Sequence, residues 1–208
     1  IRIDDLRRDL WLIMLLAIPG VIVTTLLVAG AIHWGTGIAL STTLIFGALI
    51  AATDPVAVVA LFKQLGVPKR LQILLEGESL FNDGTAIVMF GLMLEIAISG
   101  NFSLTQSLID FVTVAGGGVL VGLVLGLLAS QIIGRIDDAL VETTITTTLA
   151  FGAYLIGEEI GVSGVLAVVV AGIVNGNIGP RGMSPTTRIV VNNFWEYAAF
   201  LANSLIFL

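Results

Sequence analysis

The chain contains no cysteine, which removes disulfides, thiol chemistry and cysteine-bound zinc from consideration. Charge is scarce as well. Only 12% of the 208 residues are Asp, Glu, Lys or Arg, about half the share found in soluble domains. The nine basic residues form no continuous stripe, so no nucleic-acid partner is expected. No signal peptide is expected either, because the first nine residues are polar and the first apolar run is full length. The alternating pattern of a membrane β-barrel is missing too. What abounds is apolar: 57% of residues are hydrophobic and mean hydropathy is +1.06, so the solvent for most of this chain is lipid. The formal charge of −6 says little about partners, since several carboxylates are expected to be buried. The chain starts at Ile1 without a methionine and stops within an apolar run, so it reads as a piece of a longer protein cut mid-helix.

Seven long apolar runs can be read, at residues 10–32, 38–62, 71–99, 104–133, 140–156, 162–174 and 189–208. Most reach the roughly 20 residues needed to cross a bilayer as a helix; the sixth is short. Backbone polar groups must be satisfied internally in hydrocarbon, so the expected fold class is all-α, a polytopic transmembrane helical bundle. The basic residues support the count. Arg2, Arg7 and Arg8 precede the first run; Lys63, Lys69 and Arg70 follow the second, Arg135 the fourth, Arg181 and Arg188 the sixth. The alternate loops, at 33–37, 100–103 and 157–161, contain no Lys or Arg. Seven alternating spans put every basic residue on one face, which the positive-inside rule makes cytoplasmic. Trp11, Trp34, Trp195 and His33 fall at expected interfaces, and positioning explains them without chemistry. Gly118, Gly122 and Gly126 recur at a spacing that lets helix backbones approach closely.

Chemistry is expected where carboxylates interrupt the apolar runs. Asp54 lies in the second run within Thr53-Asp54-Pro55, and Asp83 in the third within Glu78-Ser79-Leu80-Phe81-Asn82-Asp83. An acid at the centre of a membrane helix costs about 2.5–3.5 kcal/mol on insertion scales, and such residues mark ion or proton paths. Asp54 is nine residues before Lys63 and Asp83 is 13 after Arg70. At the helical rise these are depths of about 14 and 20 Å from the same side, so both reach the middle of the bilayer and can meet. Pro55 removes an amide donor and disfavours helix at Asp54, leaving the carbonyls near Thr53 without partners. The second run is therefore expected to break at 53–55, and freed backbone at membrane depth suits cation binding. Ser79 and Asp83 share one helix face, and Glu78 and Asn82 form a second such pair about 100° around. Carboxylate, hydroxyl and carbonyl are hard oxygen donors suited to Na⁺, Li⁺ or K⁺. Glu78 is expected to be structural, paired with an arginine outside this chain. Glu76 should snorkel to the interface. Asn192, Glu196 and Asn203 form a further polar stripe that interhelical hydrogen bonding explains at least as well as ion contact.

With Thr53-Asp54-Pro55, Asn82-Asp83 and the connecting segment Phe62 to Arg70 in view, the chain resembles the monovalent cation:proton antiporter 1 family, the NhaP-type sodium/proton exchangers. Gly161-Val162-Ser163-Gly164 and the residues that follow are family-like as well. The resemblance covers essentially the whole chain. It implies part of an inverted-repeat antiporter fold with a broken core helix, and electroneutral exchange of one cation for one proton, the paired Asn-Asp marking that form. It further implies cation ligation by Asp83, Asp54, Ser79 and the backbone at Thr53, support from Asn82, Glu78 and Pro55, no cofactor beyond the transported ions, and a homodimer in a prokaryotic plasma membrane. On this reading the protein is not an enzyme. An intramembrane aspartyl protease is the alternative from another class, but Phe81 occupies the place where such enzymes carry glycine before an aspartate. A cation channel is weaker, since one occluded carboxylate site suits alternating access better than multi-ion conduction.

Overall fold

A computed structural model describes residues 2–99 and 103–206; the loop expected at 100–103 and the end of the seventh run lie almost wholly or partly outside them. The described residues form eight α-helices: α1 (Ile3–Thr36), α2 (Leu40–Leu49), α3 (Val56–Leu65), α4 (Lys69–Ser99), α5 (Leu104–Ile133), α6 (Ala139–Glu159), α7 (Gly164–Ile178) and α8 (Pro185–Ile206). No strand occurs among them. A 3-10 turn, Gly179–Arg181, extends α7. Five helices are long and apolar enough to cross a membrane: α1, α4, α5, α6 and α7 with its extension. By contrast α2 and α3 have ten residues each, about 15 Å and half a bilayer apiece.

α5 occupies the expected 104–133 run, whereas α1 exceeds its expected 10–32. Its polar start is helical from Ile3. Asp4 and Asp5 lie in the first turn, where acids favour the helix dipole. Lys69 Nζ stands 3.5 Å from Asp5. Arg70 grips Asp9 through Nη2 at 2.7 Å and through Nε at 3.1 Å to both oxygens. Asp9 is 3% exposed, so this pair pins the first turns of α1 to the first turn of α4. At the other end Gly37, at φ 73°, closes α1 by donating its N–H to the His33 carbonyl. His33 Nδ1 lies 2.6 Å from the Ile38 carbonyl oxygen and holds the same turn.

α7 also departs from its expected bounds of 162–174. Ser163 caps its start by accepting the Leu166 N–H, and the helix continues to Ile178. Two asparagines that lower hydropathy there have helix-borne partners. Ser130 Oγ donates to Asn175 Oδ1 at 3.1 Å, and Asn177 Oδ1 accepts the Ile3 N–H at 2.8 Å. The N-terminal end of α7 is recessed. The Ser163 N–H donates to the carbonyl of Val114, ten residues past the start of α5, hence about 15 Å inward at the helical rise.

α5 and α7 run side by side in backbone contact. A Cβ built on Gly118 would meet the Ser163 carbonyl oxygen at 2.4 Å, on Gly122 that of Ala167 at 2.3 Å, and on Gly126 the Val174 Cβ at 2.9 Å. Rising numbers on α5 match rising numbers on α7, so the two helices are parallel. α6 packs across both, with Ala153, Ala167 and Ala171 forming a small buried cluster. Trp195 Nε1 donates to Thr146 Oγ1 at 3.0 Å and ties α8 to α6. On the other side α1 packs on α2 and α4, and Gly84 of α4 abuts Leu166 of α7 to join the two groups.

Candidate cation site

The break in the second run is wider than expected. α2 stops at Leu49 and α3 starts at Val56, so residues 50–55 are unwound rather than 53–55 alone. Pro55 stands at the N-cap of α3, where its missing N–H costs nothing. The same absence leaves Ala51 O without a helical donor, and the loss spreads back to the last helical bonds, Ile50 N–H to Phe46 O and Ala51 N–H to Ala48 O. α2 and α3 thus stop on either side of a gap in which Ala51 is buried and Ala52, Thr53 and Asp54 are exposed.

α4 runs past this gap and holds it open. Ser79 Oγ donates to the Thr53 carbonyl at 2.8 Å. Asn82 Nδ2 donates to Thr53 Oγ1 at 2.6 Å and to Glu78 Oε1 at 2.7 Å, while its Oδ1 accepts the Thr53 N–H at 3.5 Å. A primary amide has two N–H donors and one carbonyl oxygen, and Asn82 has placed all of them. The orientation is fixed by its neighbours, because a carboxylate can only accept and a backbone N–H can only donate. Asn82 is 1% exposed and Ser79 9%. With its proton on Thr53, the Ser79 oxygen keeps its lone pairs for another partner.

Asp54 and Asp83 lie beside this clasp. Both side chains are on surface that the described residues leave open, and Asp83 is within coulombic reach of Asp54 and Glu78. The expected constellation, Asp83, Asp54, Ser79, Thr53, Asn82, Glu78 and Pro55, is therefore gathered on α4 and the break. Within this chain the partner of Glu78 is Asn82. No group of three or more His, Asp or Glu side chains among the described residues is arranged to hold a metal ion; the oxygens here are a mixed set of carboxylate, hydroxyl and carbonyl. The stripe on α8 is elsewhere: Asn192 lines a cavity of about 330 Å³ with Thr146, Asn175 and Trp195, Glu196 is exposed, and the Asn203 side chain lies outside the described residues.

A broken helix of two half-length pieces, latched by Asn82 and Ser79 of the next helix, carries the comparison with known proteins. The transmembrane sodium/hydrogen exchanger family matches residues 1–208. The chain belongs to that family. It is 47% identical, over its whole length, to the Na⁺/H⁺ antiporter ApNhaP of Aphanothece halophytica, and spans 40% of that protein. It is 36% identical to sodium/hydrogen exchanger 7 of Arabidopsis thaliana over 99% of its length, covering 18% of that relative. The structure of the sodium proton antiporter MjNhaP1 from Methanocaldococcus jannaschii superposes with a TM-score of 0.79 at 27% identity, over all of this chain and 51% of that one. This exchanger-family chain thus spans about two-fifths of the curated antiporter first compared and about half of the solved one. Its fold is the all-α membrane bundle of that antiporter structure, and the protease and channel alternatives find no support among its relatives.

Two features of the exchanger chain had no signal in the apolar runs. One is the Asp9–Arg70 pair. The other is Glu142, fully buried near the start of α6 with neither carboxylate oxygen completing a hydrogen bond among the described residues.

Proposed function

We propose that the whole protein exchanges Na⁺, or Li⁺ or K⁺, for H⁺ by electroneutral alternating access in a prokaryotic cell membrane, serving pH and sodium homeostasis without a further cofactor. The observation that carries this reading is the unwound segment 50–55, latched to α4 by Asn82 and Ser79 and bringing Asp54 beside Asp83. Asp83, Asp54, the Ser79 hydroxyl and the Thr53 carbonyl ligate the cation. Asn82, Glu78 and Pro55 hold that arrangement. A carboxylate at membrane depth needs a counter-charge or a proton. Asp83 therefore binds one or the other, and the loaded site carries the same charge in both directions. The seven expected spans, with residues 1–9, 63–70, 134–138 and 176–188 at the cytoplasm, set the direction in which the site opens, and a second copy completes a homodimer. Single cysteines at Gln64 and Gly35, in a cysteine-free background, should react with an impermeant thiol reagent from opposite sides; reaction of both from one side refutes the topology.

Exchange is tested by reconstituting the full-length protein in vesicles and following sodium-driven proton movement. Asp83→Asn should abolish it while the protein remains folded, because the amide matches the neutral acid in shape. Near wild-type exchange by this variant would remove Asp83 as the shared carrier.

A further inference from the structure

The enclosure of Glu142 is unlike that of any acid in the cation site. It is 0% exposed, and both of its oxygens lack a hydrogen-bond partner among the described residues. The Asp138 amide is directed toward it but falls short of hydrogen-bond geometry. Glu142 sits four residues past Asp138, the N-cap of α6, where the chain enters from an exposed loop. α6 packs on α5, α7 and α8. The ionisable groups on those elements and their connections are few. α5 has Asp110 at its far end, α7 has none, α8 has Arg188, Glu196 and Tyr197, and the connecting segments hold Arg135, Asp137, Asp138 and Arg181. The charges that act on Glu142 are those of Asp137 and Asp138, of its own sign. Neither oxygen hydrogen-bonds to Arg135, Arg181 or Arg188.

A carboxylate taken out of water without a cation or hydrogen bonds is too costly to persist; the group takes up a proton instead. The enclosure leaves no room for a cation to arrive without α6 and its neighbours parting. We propose that Glu142 is a second proton-binding site, separate from Asp54 and Asp83, held as the neutral acid by its enclosure and ionised only when α6 parts from α5, α7 or α8. Exposed Asp137 and Asp138, one turn away at the same end, supply the route to water. If the protein exchanges cations for protons as proposed above, occupancy of this site makes the exchange rate depend on pH at the inner face, independently of competition at Asp83.

The test is infrared difference spectroscopy on the full-length protein in lipid, which reads the proton without reference to transport. Wild type at neutral pH should show the high-frequency carbonyl stretch of a free carboxylic acid, and Glu142→Gln should lose that band while keeping the thermal stability of wild type. Glu142→Gln should also exchange at the wild-type maximal rate with a flattened dependence on inner pH. Should the glutamine variant fail to fold, Glu142→Asp must displace the band. A band untouched by either variant overturns the proposal. So does its absence from wild type together with destabilisation by glutamine, the outcome if a cation from another part of the protein pairs with Glu142. Because the band is read with no ion gradient, a protein that failed to exchange Na⁺ for H⁺ would still decide the matter.

Discussion

The break between α2 and α3 and the seam between α5 and α7 solve one problem in opposite ways. Helices in lipid gain little from burying apolar surface against each other, so contact must come from close packing or from polar bonds. The α5–α7 seam uses the first. Its glycines let two intact backbones touch along three successive turns, with cross-helix polar bonds at the two ends of the contact, from the Ser163 N–H to Val114 O and from Ser130 Oγ to Asn175 Oδ1. The break uses the second. Six residues abandon the helix, and side chains of α4 take over the partners that were lost. Interhelical hydrogen bonds in membranes average about 0.6 kcal/mol, so three such contacts amount to roughly 2 kcal/mol. That is small against the cost of unwinding. The clasp positions Thr53 and Asp54 more than it stabilises the bundle, whereas the seam stabilises and presents no chemistry.

The sharpest way to break the contrast is at Asn82. An aspartate there offers no donor, loses both N–H bonds, and places a second carboxyl where Asn82 Nδ2 now stands 2.7 Å from Glu78. Hydrogen bonds to charged groups are worth about 1.5–3 kcal/mol each. Asn82→Asp should therefore cripple exchange, lower thermal stability by a comparable amount and gain no dependence on membrane potential. Potential-driven antiport by this variant, measured in vesicles, would show that Asn82 does more than hold the gap. A smaller effect is expected at the seam. Gly122→Ala drives a methyl into the Ala167 carbonyl, and overpacking of that kind costs about 1–3 kcal/mol. Gly172→Ala, on a face of α7 with nothing within 4 Å, should be neutral or slightly stabilising. Thermal unfolding of the two variants measures the difference, and neither should change the relative preference for Na⁺, Li⁺ and K⁺. A shift in preference from Gly122→Ala would mean that the seam and the site are coupled.

Much of the break was legible because its signals are local. A proline and two aspartates in apolar runs stand out in any window, and helical spacing places Glu78 with Asn82 and Ser79 with Asp83. The width of the break was not legible, since Ile50, Ala51 and Ala52 carry no breaker signal of their own and the donor Pro55 withholds is the one the Ala51 carbonyl would have used. Asp9 and Arg70 are 61 residues apart, so their pairing required knowing that α1 and α4 start side by side. Glu142 lies at the edge of its run with no local feature to single it out, and its burial comes from the tertiary packing of α6, which no local pattern specifies. α7 seemed short because Asn175 and Asn177 lower its hydropathy, and they are tolerated only because Ser130 and the Ile3 amide answer them.

The recess of the α6–α7 turn has a dielectric consequence. It leaves a cavity of about 650 Å³ between α4, α5 and the turn, bordered by Glu95, Asp110 and Glu158, whose wall reaches Ile87 and Val88. Ile87 is one helical turn beyond Asp83 on α4. Water in that inlet would thin the low-permittivity slab locally, so that an ion approaching from this side sheds its hydration shell over the last stretch only rather than across half of a roughly 30 Å hydrocarbon core. A self-energy barrier falls as the slab thins, and acids on the rim raise the local cation concentration. The shortest of the five helices long enough to cross a membrane among the described residues would in this way set how far bulk solution extends toward the middle of the bilayer.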